Sequence, residues 1–325
     1  MRAKLPVSVR RGLLVLGALV FMFALNEGLA RSINTSFDLD NFDLAGAGND
    51  RECTRPSMSR GYEPTPGKCG VNEHGARVER FPTAPGDAPV RVMLVGDSIS
   101  AQLGLPQLLA QGLSREWSGR AVEVQAFAAA GYNTCQELSM YLERVEVARP
   151  DFVVLQTCPN DVVGSPVLLR VGSQVRYFVD DTYVEFPAWV THSRFLTLAV
   201  LSFGERQPHG LITAGPGFVK RCLADLRAAV GSRGIPLATV FFPLFWTESE
   251  APEGMLADEV AMRRLVSESG IPMVDLRPVY EAAGPVTGFR SHPGDFIHPN
   301  AQGQQLAAEA TARFIGATFL EPATR

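Results

Sequence analysis

The chain has 325 residues, 46% of them hydrophobic, and a formal charge of −4. That is apolar material enough for one large domain with appendages. The slightly acidic balance leaves no basic patch of the kind that marks a nucleic-acid binder, so none is expected as a partner.

The N-terminus opens with Arg2, Lys4, Arg10 and Arg11 ahead of an uncharged apolar run from Gly12 to Leu25. The run is short for a full span of ~20 residues. It suits a signal peptide cut near "GLA" (28–30), or a signal anchor extended at both ends. Either way the basic flank stays in the cytoplasm, and the rest of the chain lies outside it, in the periplasm, as a membrane-anchored or secreted domain. Residues 31–89 are rich in Asp, Asn, Gly and Pro and read as an irregular extracytoplasmic extension. Export permits disulfides. Cys53 and Cys69 flank a Pro/Gly-rich stretch and form the first expected pair; Cys135 and Cys158 form a weaker second, leaving Cys222 buried on a helix. No Cys-x-x-Cys pair or zinc-finger spacing occurs.

From Val90 the pattern alternates. Strands are expected at 90–97 ("VRVMLVGD"), 121–131, 151–158, 236–243 and 272–280. Helices are expected between them, with Leu105, Leu109, Leu113 and Trp117 at four-residue spacing in the first. Residues 136–147, 217–234, 257–269 and 300–317 are also read as helices. Nearly continuous apolar strands between helices point to a parallel sheet covered on both faces. An insertion from about 162 to 216 carries "VRYFVDDTYVEFPAW", a candidate hairpin or lid. One α/β domain is thus expected over 90–320.

Parallel sheets present their chemistry at the carboxyl ends of the strands. Past the first strand lie Asp97 and Ser98; past the second, Gly131; past the third, Asn160 and Asp161; past the fifth, "SHPGDFIHPN" with His292, Asp295 and His298. This set suffices for acyl transfer. Ser98 is a nucleophile if His298 takes its proton, and Asp295, three residues earlier, can fix the imidazole tautomer. The backbone N–H groups of Ser98 and Gly131 and the Asn160 amide would serve a developing oxyanion.

The blocks "VGDSIS", "AAGYNT", "CPND" and "DFIHPN" resemble, in order, the four blocks of the SGNH/GDSL hydrolases, over residues 90 to 318. The neighbourhoods of the second and third blocks are similar to a membrane-attached bacterial branch. The resemblance implies a flavodoxin-like three-layer α/β/α sandwich with five parallel strands. It also implies Ser98 as nucleophile, Asp295 and His298 as its triad partners, and an oxyanion hole of Ser98, Gly131 and Asn160. One departure is Cys158, which stands where the third block usually has Gly.

The expected function is cleavage of carboxylic esters on lipid or carbohydrate. Alternatives are an O-acetyltransferase acting on an exported polysaccharide, or a non-catalytic module of the same fold. His292, Asp295 and His298 also have a metal-like spacing, with Asp97 or Asp161 as a further ligand. That reading explains neither Ser98 nor Gly131 nor Asn160, so no metal or cofactor is expected. His192, His209, Arg170 and Arg176 read as surface residues and Asp161 as structural. Tyr183, Phe186 and Trp189 read equally as a substrate platform or as lid packing.

Overall fold

The computed structural model describes residues 7–32, 53–57, 59–82, 88–102, 104–162, 167–171, 173–179, 182–208, 215–247, 250 and 253–319. His209 lies outside them, and so does the Arg170 side chain. Helix α1 (Val7–Ser32) is followed by short strands β1 (Thr54–Ser57), β2 (Gly61–Pro64) and β3 (Arg77–Phe81). The body then runs β4 (Val90–Gly96), α2 (Ser98–Ala101), α3 (Gly104–Glu116), β5 (Val122–Ala128), α4 (Thr134–Ala148) and β6 (Phe152–Thr157). The insertion holds β7 (Val167–Val171), β8 (Gln174–Val179), β9 (Thr182–Pro187), α5 (Arg194–Phe203) and β10 (Gln207–Pro208). The body resumes with α6 (Pro216–Gly231), β11 (Leu237–Phe241), α7 (Glu253–Glu268), β12 (Met273–Asp275), α8 (Arg277–Ala283) and α9 (Ala301–Phe319).

The central sheet has the order β12-β11-β6-β4-β5-β3, with β4, β5, β6, β11 and β12 parallel. Numbered by themselves, the five parallel strands run 2-1-3-4-5, the flavodoxin-like order with its crevice between the first and third strands. Alternation along β4 sends Met93 and Val95 to one face, with Leu138, Leu223, Leu226 and Met262 of α4, α6 and α7. Val92 and Leu94 go to the other, with Leu109, Leu113, Ala308 and Ile315 of α3 and α9. Both faces are therefore buried, as the near-continuous apolar strands require.

Three expectations change. The extension expected to be irregular supplies β3, which pairs antiparallel with β5 from Arg77↔Ala126 to Phe81↔Val122 and closes that sheet edge. The strand expected over 272–280 is only Met273–Asp275, because Pro278 opens α8 in its first turn, where its missing N–H costs nothing. The second disulfide joins Cys135 to Cys222, with Cα atoms 5.2 Å apart, and Cys158 is free and buried. Cys135 and Cys222 sit on α4 and α6 against the same sheet face, whereas the end of β6 turns Cys158 to the opposite one. The Cys53–Cys69 bridge forms as expected.

The insertion is more than a hairpin. Strands β10-β9-β8-β7 make an antiparallel sheet with its own small core of Val175, Tyr177, Val184, Phe186, Ala188 and Val190. Phe186 is buried there, Arg176 pairs with Glu185 and lies over the Tyr183 ring, and Trp189 is exposed. Tyr183 also packs against the main core of the body, so these aromatics serve at least in part to pack the insertion onto it.

Candidate active site

β4 ends at Gly96 because the next turn must fold back under itself. A Cβ on Gly96 would collide with Gln156 Oε1 and Ser100 Oγ. Without it, Gln156 of β6 lies beneath the turn. Its Oε1 accepts from Asp97 N at 3.1 Å, Ser100 N at 3.3 Å and Ser100 Oγ at 2.9 Å. Asp97 caps α2 by accepting from Ile99 N at 2.9 Å, the usual service of a side-chain oxygen at a helix start. Ser98 is thereby held at a strand tip by fully buried neighbours while staying partly exposed itself.

Opposite it, the segment between α8 and α9 brings in His298, whose Nε2 lies 2.7 Å from Ser98 Oγ. Its Nδ1 lies 3.0 and 3.1 Å from the two Asp295 carboxylate oxygens. Asp295 Oδ1 also accepts from the backbone N–H groups of Ile297 and His298, each at 3.0 Å, and Oδ2 from the Ser291 hydroxyl. Partial burial pushes the Asp295 carboxyl up. The His298 N–H, the Ser291 hydroxyl and the Ile297 N–H outweigh that and bring it down to about 2. The carboxylate is thus ionised at neutral pH, and a loop three residues long orients the imidazole.

The other strand ends complete the cleft. Gly131, after β5, has φ +76, a left-handed conformation that a side chain would strain. Asn133 comes two positions later and caps α4 reciprocally with Gln136. After β6, a short 3₁₀ turn over Pro159–Val162 carries Asn160, whose Nδ2 donates to Asp97 Oδ2 at 3.3 Å. A serine hydroxyl, an imidazole, a carboxylate and two candidate oxyanion donors therefore gather at the carboxyl edge of the sheet.

Residues 94–306 match the GDSL-like Lipase/Acylhydrolase family. The chain belongs to this family. It is accordingly an esterase of the GDSL type, built on the α/β fold described above. Similar solved structures include a lipase/acylhydrolase from Enterococcus faecalis, 17% identical, covering 72% of this chain and 98% of that one with a TM-score of 0.45. Another is an acetylxylan esterase from Geobacillus stearothermophilus, 14% identical, covering 72% and 96% with a TM-score of 0.45. A third is the α/β hydrolase LAE5 from the metagenome of Lake Arreo, 17% identical, covering 71% and 97% with a TM-score of 0.46. No curated protein sequence matches.

Beneath the GDSL serine lies an acidic floor. Asp97, Cys158 and Asp161 bring their ligand-type atoms within 4.8 Å of one another, the one grouping among the described residues with a donor set for a metal. Apart from Asp161 Oδ1, which is buried without a hydrogen-bond partner, those atoms already have protein partners. Asp97 Oδ2 accepts from the Cys158 thiol and from Asn160, and Asp161 Oδ2 accepts from Cys158 N at 3.2 Å. Burial, followed by the charges of Asp97 and Asp161, pushes the Cys158 thiol well up, away from the thiolate a metal needs. Burial likewise raises Asp161, with Asp97 adding, and raises Glu137, with Asp161 and Asp97 adding. The donor set reads as a hydrogen-bonded floor, and Asp161 as the structural residue expected. His292, the other residue of metal-like spacing, has 67% of its side chain exposed and stands 3.7 Å from Asp295.

Two supporting residues escape a reading by motif. Gln156 lies near the end of the fully buried strand β6, and only its polarity at a buried position signals it. Tyr62 comes from the extension: its hydroxyl donates to the Ala130 carbonyl, and the Tyr132 hydroxyl donates back to the Tyr62 carbonyl. The two rings pack with centroids 5.2 Å apart. The extension thus braces the backbone just before Gly131.

Proposed function

We propose that the chain cleaves carboxylic esters on lipid or carbohydrate by covalent catalysis at Ser98, from outside the cytoplasm, held to the membrane by α1. The observation that carries the catalytic reading is the continuous relay from Ser98 Oγ to His298 Nε2 at 2.7 Å and on from Nδ1 to Asp295 at 3.0 Å. His298 takes the serine proton as Oγ bonds to the ester carbonyl carbon, and Asp295 steadies the imidazolium. The oxyanion is met by the N–H groups of Ser98 and Gly131 and by the Asn160 amide. Collapse expels the alcohol, which takes the proton from His298. Water then repeats the sequence on the acyl-serine and frees the acid. The domain boundaries that go with this reading are an anchor over residues 1–30, an extension over 31–89 and a catalytic domain over 90–320 with its insertion.

An uncleaved anchor is supported by Glu27, on the side of α1 that faces the insertion, whose carboxylate is taken up at Ser193, Arg194 and Phe195. Cleavage after Ala30 would remove that partner. The decisive experiment is Ser98→Ala in the full chain, assayed on p-nitrophenyl acetate. Turnover should fall by on the order of 10⁶ with an unchanged melting temperature. Retention of wild-type turnover would remove Ser98 from the reaction. Repeating the wild-type assay with an oligosaccharide acceptor separates release of acid from transfer to a sugar hydroxyl.

A further inference from the structure

The insertion carries an apolar surface that ester hydrolysis does not explain. After Arg194, helix α5 reads "FLTLAVLSF", nine residues without a charge. Leu196, Val200 and Leu201 pack on the small core of the insertion. At 100° per residue, Phe195, Leu198 and Ala199 point away from that core, with Ser202 the one hydroxyl among them. Phe203, the last residue of the helix, lies on the flank between the two sides and is 89% exposed. Trp189, one turn before α5, is 62% exposed. Charges bracket the patch: Arg194 before it, the exposed Glu205 and Arg206 after it. A helix that is apolar on both sides needs a second apolar environment.

What covers it is indicated by its neighbour. The N-terminus of α5 is fastened to α1, the helix whose Val15–Ser32 stretch has a mean hydropathy of 1.3 and is almost wholly exposed. Glu27 of α1 accepts from the Ser193 hydroxyl at 2.7 Å, Phe195 N at 3.0 Å and Arg194 N at 3.1 Å. One turn earlier on α1, Phe23 meets Phe195 edge-on with centroids 6.0 Å apart. The apolar surface of α5 is therefore continuous with that of α1, and the carboxylate joining them sits where the apolar run of α1 ends. An exposed Trp beside an apolar helix with charged ends is the composition of a segment lying in the bilayer interface.

We infer that α5, with Trp189 and Phe203, is a second membrane contact, lying in the outer interface of the bilayer that α1 enters. Glu27 fixes its angle to the anchor. The insertion then rests on lipid and sets the height of the catalytic edge above the membrane. This goes beyond ester hydrolysis but rests on α1 being inserted.

The test uses the full chain in phosphatidylethanolamine–phosphatidylglycerol vesicles. Four of the five cysteines are in disulfides and Cys158 is buried, so Phe203→Cys takes an environment-sensitive thiol dye at that position alone. Ser267→Cys, exposed on α7, is the reference, and p-nitrophenyl acetate turnover confirms that each labelled chain is folded. The dye at 203 should emit to the blue of that at 267, resist aqueous iodide, and lose emission to lipids dibrominated on their acyl chains. Iodide quenching at 203 equal to that at 267 overturns the contact. Iodide protection without loss to brominated lipid also overturns it, since protein, such as a second copy, would then cover the patch. An alkaline wash of the same vesicles reports α1 separately. A washed-off chain defeats anchor and contact together; a retained chain with residue 203 in water defeats the contact alone. Loss of brominated-lipid quenching in Trp189→Phe relative to wild type reads the same contact without a dye, and equal quenching in both would overturn it.

Discussion

The turn that carries Ser98 is sealed, whereas the loop that carries His298 stands partly in water. Around the serine, Asp97, Ser100 and Gln156 are fully buried and bonded to one another. Across the cleft, the His298 side chain is one-third exposed and that of His292 two-thirds. That loop is held by backbone and by ion pairs instead. Ser291 N donates to His298 O at 2.9 Å, Phe245 N to Phe296 O at 2.8 Å, and Arg290 reaches both the Phe245 carbonyl and Glu250. The contrast suits the two roles proposed for Ser98 and His298. A nucleophile works from a fixed position, while a base that hands protons to an alcohol and takes them from water needs a wet side.

Substitutions sharpen the contrast, the largest effect first. Asp295→Asn should lower kcat on p-nitrophenyl acetate by about 10⁴ by favouring the wrong imidazole tautomer. A loss under tenfold would remove Asp295 from the relay. The same carboxyl gives the loop an acid limit. Because it is held at about 2 against an ordinary 3.8, its contribution to stability is complete above the ordinary value and is lost as pH falls through about 2. Asn160→Ala should lower kcat by roughly 10²–10³ with KM little changed if it serves the oxyanion. A mutant that melts several degrees lower yet turns over normally per folded molecule would make it a turn residue only. Gln156→Leu removes the acceptor of three buried donors, so urea denaturation should show a loss of about 3 kcal/mol, with activity falling in step. An unchanged midpoint would mean the serine turn does not depend on its floor. His292→Ala should change neither turnover nor stability beyond about 0.5 kcal/mol; a large fall in kcat would give that exposed imidazole a part in proton transfer.

Much of this was legible in the sequence because strand ends in a parallel sheet converge for topological reasons. Ser98 and His298 lie 200 positions apart, yet each sits beside a readable strand or a readable helix. Cys222 shows what is not legible. Its partner is set by which face of the sheet each element covers, and periodicity within one element does not give the position of another. Tyr62 was hidden for a related reason. β2 is four residues in a Pro/Gly-rich stretch, too short for a period, and its bonds reach the Ala130 loop 68 positions away. The four-stranded insertion escaped for want of length as well, since β7, β8 and β9 are 5, 6 and 6 residues long and are held by pairing with one another.

The Cys135–Cys222 bond closes a ring of chain, with 87 positions between its ends. β6, the Asn160 turn and the whole insertion lie on that ring. The insertion is thus an excursion whose points of departure and return are covalently tied. Relatives of this chain could lengthen or trim it while the sheet keeps its register, since loop closure grows only logarithmically with length, about 0.6 kcal/mol per doubling. A protease that nicks the insertion leaves a single molecule on a non-reducing gel and two pieces once thiol is added. The part of the enzyme freest to diversify is also the part that can be cut without parting Ser98 from His298.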